Sequence, residues 1–288
     1  MNIIPALSAP MRSQPTSRPH ITSSPLGFGV VDATVSLNGV MVQAYGPYDV
    51  APGRPHDTTG TPTMSLGKFG VGQANTASTG SWLRRHMPQL KSFAELSMMA
   101  LVMPTSIVAA TVFHYGVCDT LSTDNFCAIG QGATANTFDW RKRDTAVVTE
   151  SLGAGGNGVS SSLWANNTPV VAICRRSKAN GLLDAYLNGT QVDSRAAGSI
   201  GAAAPNNSTV NGLNRSDGWN FKSSGTVWLG VTWNRQISMQ EVMLLSDNPW
   251  QIFDTPSRPL FLNSAAAAAF MARQGLTVQQ AVNRASTY

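Results

Sequence analysis

A chain of 288 residues, 42% of them hydrophobic, is long enough to bury the core of one large domain or two small ones without disulfides or metals. Charged residues make up only 12%, about half the roughly 25% of an average globular protein, and Gly, Ser, Thr, Asn and Ala fill the difference, which favours an extracellular or particle-borne β-protein over a cytosolic enzyme. The net charge of +5 comes from dispersed basic residues with short clusters only at Arg84-Arg85, Arg141-Lys142-Arg143 and Arg175-Arg176, so solvated charges and a few intersubunit ion pairs are expected rather than a specific nucleic-acid surface.

Residues 1–25 hold five prolines, Pro5, Pro10, Pro15, Pro19 and Pro25, with Arg12 and Arg18 between them. Proline at that density excludes helix and central strand, leaving an extended segment, either a disordered tail or an arm laid on a neighbour. From Gly27 the chain changes to short strands between turn residues. Val30–Gly39 reads as a strand closed by the Asn38-Gly39 turn and followed by Val40–Tyr45, a hairpin pattern; residues 46–62 read as loop. Ser97–Val102 and Ser106–Tyr115 read as buried strands bounded by Pro104, and further strands fall at 126–129, 137–140, 146–152 and 169–176. In Gly181–Asp193, apolar Leu183, Ala185 and Leu187 alternate with Asp184, Tyr186 and Asn188, and Asn188-Gly189 turns the chain into a second strand. Thr209–Arg215 reads as a short strand and Gly218–Lys222 as a loop or edge. Val227–Arg235 is a long strand, with Trp228 and Trp233 on opposite faces by the two-residue period. Ser238 and Glu241 have the spacing of a capping box opening a helix at Met239–Leu245. Ser264 caps a last helical run, Ala265–Arg273. The organisation expected is a proline-rich arm (1–25), a β-sandwich (26–262) and a helical tail (263–288).

One ordered set of residues spans about 165–253. A strand with Ala172 and Arg175 precedes the Tyr186-Leu-Asn-Gly189 hairpin, a strand containing Gly212 and an aromatic, Gly-rich edge. Thr232-Trp-Asn-Arg235 then leads to Ile237-Ser238 and the Glu241 helix, and Asn248-Pro-Trp-Gln-Ile-Phe253 closes the set. This order resembles the laminin-G-like, concanavalin-A-like lectin/glucanase sandwich domains of tailed-phage structural proteins. The resemblance implies an all-β antiparallel sandwich of jelly-roll type in a virion subunit made in the host cytoplasm. It further implies a non-enzymatic capsid decoration, cement or fibre-type protein, attached through its arms to the major capsid protein or to tail components, and a homo-oligomer such as a trimer. A tail-associated, receptor-binding module for host glycans is the alternative, and a glycan hydrolase the third reading.

The remaining motifs offer little chemistry. Gly153-Ala-Gly-Gly-Asn-Gly158 satisfies GxGxxG, but no helix start follows it, so a flexible loop is expected. The glutamates Glu95, Glu150 and Glu241 form no alternating carboxylate strand of the kind that glycosidase chemistry uses, and no catalytic residue is nominated. His20, His56, His86 and His114 are far apart and read as surface or loop residues rather than metal ligands. Cys118, Cys127 and Cys174 read as reduced, buried thiols, although Cys118 and Cys127 can face each other across a hairpin. The opening Met1–Leu7 lacks the pattern of a secretory signal, and no window is long enough to span a bilayer. The sequons Asn188-Gly-Thr190 and Asn214-Arg-Ser216 are then turn chemistry. No cofactor is expected, apart from a calcium ion of the kind laminin-G-like rims often hold, for which Asp119, Asp124 and Asn125 are the candidates, with turn stabilisation as the competing account. Trp219 and Phe221, in a Gly/Asn/Ser-rich stretch, are the candidates for stacking on a sugar or meeting another subunit.

Overall fold

In the computed structural model the described residues are 63–76, 94–144, 149–153, 157–177, 179–198 and 205–252, together with the backbone of Phe253 and of strands within 32–59 and 82–86. The arm residues Pro5, Pro10, Arg12, Pro15, Arg18 and Pro19, the tail 263–288, His20 and His56 lie outside them.

Among the described residues the strands, in chain order, are β1 (Asp32–Leu37), β2 (Val40–Tyr45), β3 (Asp49–Val50), β4 (Asp57–Thr59), β5 (Thr63–Gly67), β6 (Gly70–Asn75), β7 (Trp82–His86), β8 (Glu95–Pro104), β9 (Val112–Cys118) and β10 (Phe126–Gln131). They continue with β11 (Thr137–Arg143), β12 (Thr149–Ser151), β13 (Val159–Ser160), β14 (Val170–Ser177), β15 (Leu182–Leu187), β16 (Thr190–Ala196), β17 (Asn207–Val210), β18 (Leu213–Arg215), β19 (Gly218–Asn220) and β20 (Gly225–Trp233). Helix α1 (Met239–Asp247) and a 3-10 turn (Pro249–Phe253) follow. One sheet runs β16-β15-β14-β8-β20-β1-β2-β3, with β6 paired to β20 and β5 to β6; the other runs β12-β11-β10-β9-β17-β7-β4, with β13 on β11. Every strand pairing is antiparallel. The protein is an all-β antiparallel sandwich of the jelly-roll, concanavalin-A/laminin-G-like kind.

The period-two rule explains how the layers assemble. In β8, Leu96, Met98, Ala100 and Val102 point one way, into a core shared with Cys127, Ile129, Phe138 and Trp140 of the opposite sheet. Met99 and Leu101 point the other way, into a second core with Ile173, Val231 and Trp233 that Val242 and Leu245 of α1 and Trp250 and Ile252 of the 3-10 turn complete. A strand apolar on both faces is the natural centre of a sheet that is covered on both sides, and β8 lies there, between β14 and β20. A third, smaller core of Phe113, Cys118, Phe126, Ala128 and Leu213 lies on the outer face of the second sheet.

Several expectations change at this level. Trp228 and Trp233 share the second core because the register shifts between Val227 and Leu229; the extra residue reverses the alternation, so Val227 faces the sandwich interior while Leu229, Val231 and Trp233 face outward with Trp228. The expected loop at 46–62 contains the short strands β3 and β4. The segment after Pro104 does not pair until Val112, since Pro104 itself ends β8. Thr209–Arg215 is two strands, split where Asn211 (φ 61°) and Gly212 (φ 129°) take left-handed conformations. Phe126, not Cys127, is the partner of Cys118, so the two thiols point into different cores, and all three cysteines are free and buried. Burial pushes Cys118 up to about 12 and the other two thiols well above their usual range.

The basic clusters are not simply solvated. Arg176 is fully buried and donates to Glu150 (2.6 Å), to the Ala94 carbonyl (2.9 Å) and to the Gly198 carbonyl (2.8 Å). Lys142 is equally buried, 3.6 Å from the Asp144 carboxylate. These residues sit on the inward-facing positions of β14 and β11, which alternation assigns regardless of charge. The Gly153–Gly158 motif falls between β12 and β13, with residues 154–156 outside the described residues, and the Gly158 N–H donates to the Leu152 carbonyl (3.2 Å). His114 is buried in β9 rather than at the surface.

Helix α1 carries the expected capping box. The Ser238 hydroxyl accepts from the Glu241 N–H (3.2 Å), and the Glu241 carboxylate accepts from the Ser238 N–H (2.7 Å). Arg235 adds a charge-assisted bond to the same carboxylate (2.9 Å). Burial raises the Glu241 carboxyl, but the bonds from Arg235 and Ser238 outweigh it and hold the group below its ordinary range. Ser238→Ala is expected to cost about 1 kcal/mol in urea unfolding, the usual worth of an N-cap.

Candidate functional site

The third core is built around a hairpin that belongs to neither large sheet. Strands β18 and β19 pair through Leu213–Asn220, Asn214–Trp219 and Arg215–Gly218, and Gly218 makes the turn at φ 95°. Arg215 locks the hairpin in place. Its guanidinium lies 4.9 Å from the Phe221 ring centre and 5.9 Å from that of Phe126, donates to the Thr123 carbonyl (2.6 Å) and pairs with Asp217 (2.7 Å). Phe221 meets Phe113 edge-on at 5.3 Å. Trp219, two residues earlier, is partly exposed.

The loop 119–125 abuts the same hairpin, where the Ser216 N–H donates to the Ser122 carbonyl (3.3 Å). The structure therefore brings together two sets of residues that the sequence nominated separately, Asp119, Asp124 and Asn125 on one side and Trp219 and Phe221 on the other. Arg215, which joins them, was not nominated. A cation three residues from a turn glycine is common, and its reach to Thr123 is a long-range contact without a local signature.

The nominated residues do not have equal roles. Phe221, itself partly buried, packs among Phe113, Phe126 and Arg215. Trp219, the side chain of Asp217 (41% exposed) and Leu121 (84% exposed) line the accessible rim. The Asp119 carboxylate accepts the Leu121 N–H (2.9 Å) and the Asn206 amide (3.1 Å) on one oxygen and the Asn125 amide (3.5 Å) on the other. Asp124 pairs with Arg143 (2.8 Å), and Asn125 turns the chain at φ 57°. These oxygens are held by N–H donors from the protein, as in an Asx-stabilised turn, so the arrangement does not fit a calcium cage. Among the described residues no three His, Cys, Asp or Glu side chains stand together as metal ligands.

Other ionisable groups serve the fold. Glu95 accepts from the Ser177 hydroxyl (2.9 Å), Glu150 from Arg176 and Glu241 from the helix cap. Asp139 is raised to about 7 by burial, opposed by Arg141 (2.9 Å) and by the Leu152 N–H (3.1 Å). At the base of the hairpin lies a polar cluster: the Ser223 hydroxyl donates to Asn211 Oδ1 (2.8 Å), and the Asn211 side chain is hydrogen-bonded to His114.

A rigid hairpin presenting a partly exposed tryptophan beside amide, hydroxyl and carboxylate groups has the composition of a surface for flat, polar ligands. The fold is that of an antiparallel β-sandwich. Its structure is similar to the binding domain of botulinum neurotoxin serotype G (TM-score 0.52, 12% identity, covering 75% of this chain and 50% of that one). It is also similar to domain 4 of an extracellular arabinanase from Geobacillus stearothermophilus, solved in complex with arabinotriose (TM-score 0.51, 13% identity, covering 67% and 88%), and to the binding domain of botulinum neurotoxin DC, solved in complex with SialylT (TM-score 0.52, 10% identity, covering 76% and 50%). The chain thus spans about half the length of the neurotoxin binding domains it matches. No protein-family model matches the sequence, and no curated protein matches it.

Proposed function

We propose that the chain is a non-enzymatic glycan-binding module whose contact surface is the rim formed by the β18–β19 hairpin and the loop 119–125. The observation that carries this reading is the division of labour within the hairpin: Phe221 and Arg215 immobilise it, so that Trp219 is presented partly exposed and pre-oriented. A tryptophan face takes the C–H face of a pyranose, while Asp217, Asn220 and Ser122 are placed to exchange hydrogen bonds with its hydroxyls. Ligand-bound neighbours of the same fold, one with arabinotriose and one with SialylT, support the sugar class. Trp219→Ala is expected to weaken glycan binding by about 10- to 100-fold, the usual scale for a central aromatic contact, with the unfolding midpoint nearly unchanged. A glycan array with the free protein, followed by titration of the strongest hit against the variant, checks this. Equal affinity of variant and parent would remove the rim from consideration.

A virion-borne role, as capsid decoration, cement or fibre-type subunit, rests on the ordered motif set at 165–253 and on the proline-rich arm. None of the structures compared above is a virion protein, and the glycan-binding reading stands first. Deleting residues 1–25 tests the virion role: incorporation into particles is lost if the arm attaches the subunit and persists if it does not.

A further inference from the structure

Both ends of the hairpin meet at one buried point. The chain enters it through Asn211, whose N–H donates to the His114 carbonyl (2.7 Å), and leaves it through Phe221, whose carbonyl accepts from the Phe113 N–H (2.9 Å). Ser223 then donates back to Asn211 Oδ1 (2.8 Å), and the Ser224 carbonyl accepts from the Thr105 N–H (3.1 Å). His114, 1% exposed, stands at the centre of this clasp, its ring 5.7 Å from that of Trp164 and its Cε1 close against Gly225. The clasp works against strain: Asn211 at the entry and Phe221 at the exit both have left-handed backbones (φ 61° and 55°), and for a bulky aromatic residue that conformation is unfavourable.

We infer that His114 is a proton-sensitive latch that holds the Trp219 hairpin closed at neutral pH and releases it in mildly acidic solution. The inference names a regulation of the rim described above and rests, for its effect on ligand, on the glycan-binding reading. Its physical basis is the lack of any acceptor for a second proton. His114 bonds to Asn211, while its Nδ1 has no hydrogen-bond partner among the described residues. The segments packed around it are the end of β8 with Thr105, the bulged region of β9 and β10, the loop bearing Trp164, the Asn211-Gly212 turn and residues 222–225. Among the described residues they bring no carboxylate toward it. Their one charged residue is the cation Lys222, bridged to Phe113, and the titratable Tyr115 hydroxyl is hydrogen-bonded to Thr232 across the sandwich. An imidazolium here would be buried without a counter-charge.

The direction follows from linkage. Desolvation by burial lowers the pKa of His114 from 6.5 to about 4, outweighing the Asn211 bond that raises it. Well above pH 6.5 the ring is neutral whether the hairpin is closed or open, and the latch is at full strength. As pH falls between 6.5 and about 4, the open state gains a proton that the closed state excludes, and closure weakens. Between pH 7 and pH 5 the opening equilibrium is expected to rise roughly 20- to 30-fold.

Hydrogen–deuterium exchange of the full chain at the two pH values, corrected for intrinsic rates, tests this directly. Amides of 213–222 are expected to lose protection by that factor while those of β8 and β14 do not. His114→Gln should abolish the pH dependence. Ser223→Ala, which keeps the imidazole, should open the hairpin more at both pH values and retain the dependence. Unchanged protection of 213–222 in the parent, an equal acid response in His114→Gln, or no effect of Ser223→Ala would each overturn the latch. Glycan binding measured in parallel separates the two ideas: no binding at pH 7 counts against the glycan-binding reading and leaves the exchange result standing. Binding unchanged at pH 5 while the hairpin opens would overturn the regulation.

Discussion

Replacing Arg176 with methionine is expected to lower the stability of the sandwich by about 3–5 kcal/mol, the cost of stripping one partner from a buried ion pair. The guanidinium is fully buried and forms the 2.6 Å bond to Glu150, and two backbone carbonyls, those of Ala94 and Gly198, also accept from it. Methionine fills much of the same volume, so the loss comes from leaving the Glu150 carboxylate and two carbonyls without their donor, not from a cavity. Urea unfolding monitored by circular dichroism should show a lower midpoint with an unchanged slope. Changing Glu150 to leucine in the same chain should recover part of the loss, because an apolar pair no longer strands a charge. No recovery in the double variant would show that the carbonyl contacts, and not the ion pair, carry the effect.

Trp233→Ala is expected to cost about 3–5 kcal/mol as well, by a different route. The side chain is fully buried at the end of β20, in the core that joins the outer face of the first sheet to α1 and the 3-10 turn. Its removal leaves a cavity in the core into which Val242 and Leu245 of the helix pack. Thermal unfolding should show the loss, and near-ultraviolet circular dichroism should report the changed packing around the remaining tryptophans of that core, Trp228 and Trp250. Trp219→Ala is the internal comparison. The same chemical truncation at the partly exposed rim should fall within about 0.5 kcal/mol of the parent. A Trp219 variant as unstable as the Trp233 variant would make the hairpin part of the core and remove its availability for ligand.

Strands and turns were readable where the signal was local. Asn188-Gly189 turns β15 into β16 with both residues left-handed (φ 48° and 79°), the conformation that an Asn-Gly pair tolerates best. The inward set Leu183, Ala185 and Leu187 lies in the interior, as alternation requires, and Ser238 with Glu241 opens α1 as the capping box requires. The shift before Leu229 was not readable, because a bulge is set by the partner strand: β8 advances one residue while β20 advances two. The candidate site divides in the same way. Trp219 and Phe221 were legible as aromatics in a polar, Gly-rich stretch, but which of them is locked and which is presented depends on Phe113, Phe126 and Arg215, the first two of them about a hundred positions earlier in the chain.

The amino-acid sequence by itself determined the all-β class, the hairpin turns and the helix cap, because these depend on residues within a few positions of one another, where backbone preference and two-residue alternation act. Tertiary structure alone decided that Arg176 and Lys142 are interior charges, that His114 sits buried at the root of the Trp219 hairpin, and that the loop 119–125 joins that hairpin in one rim. Each of these depends on which distant segment supplies the facing atoms. Burial, counter-charge and hydrogen-bond partners are properties of that neighbourhood, not of the residue type.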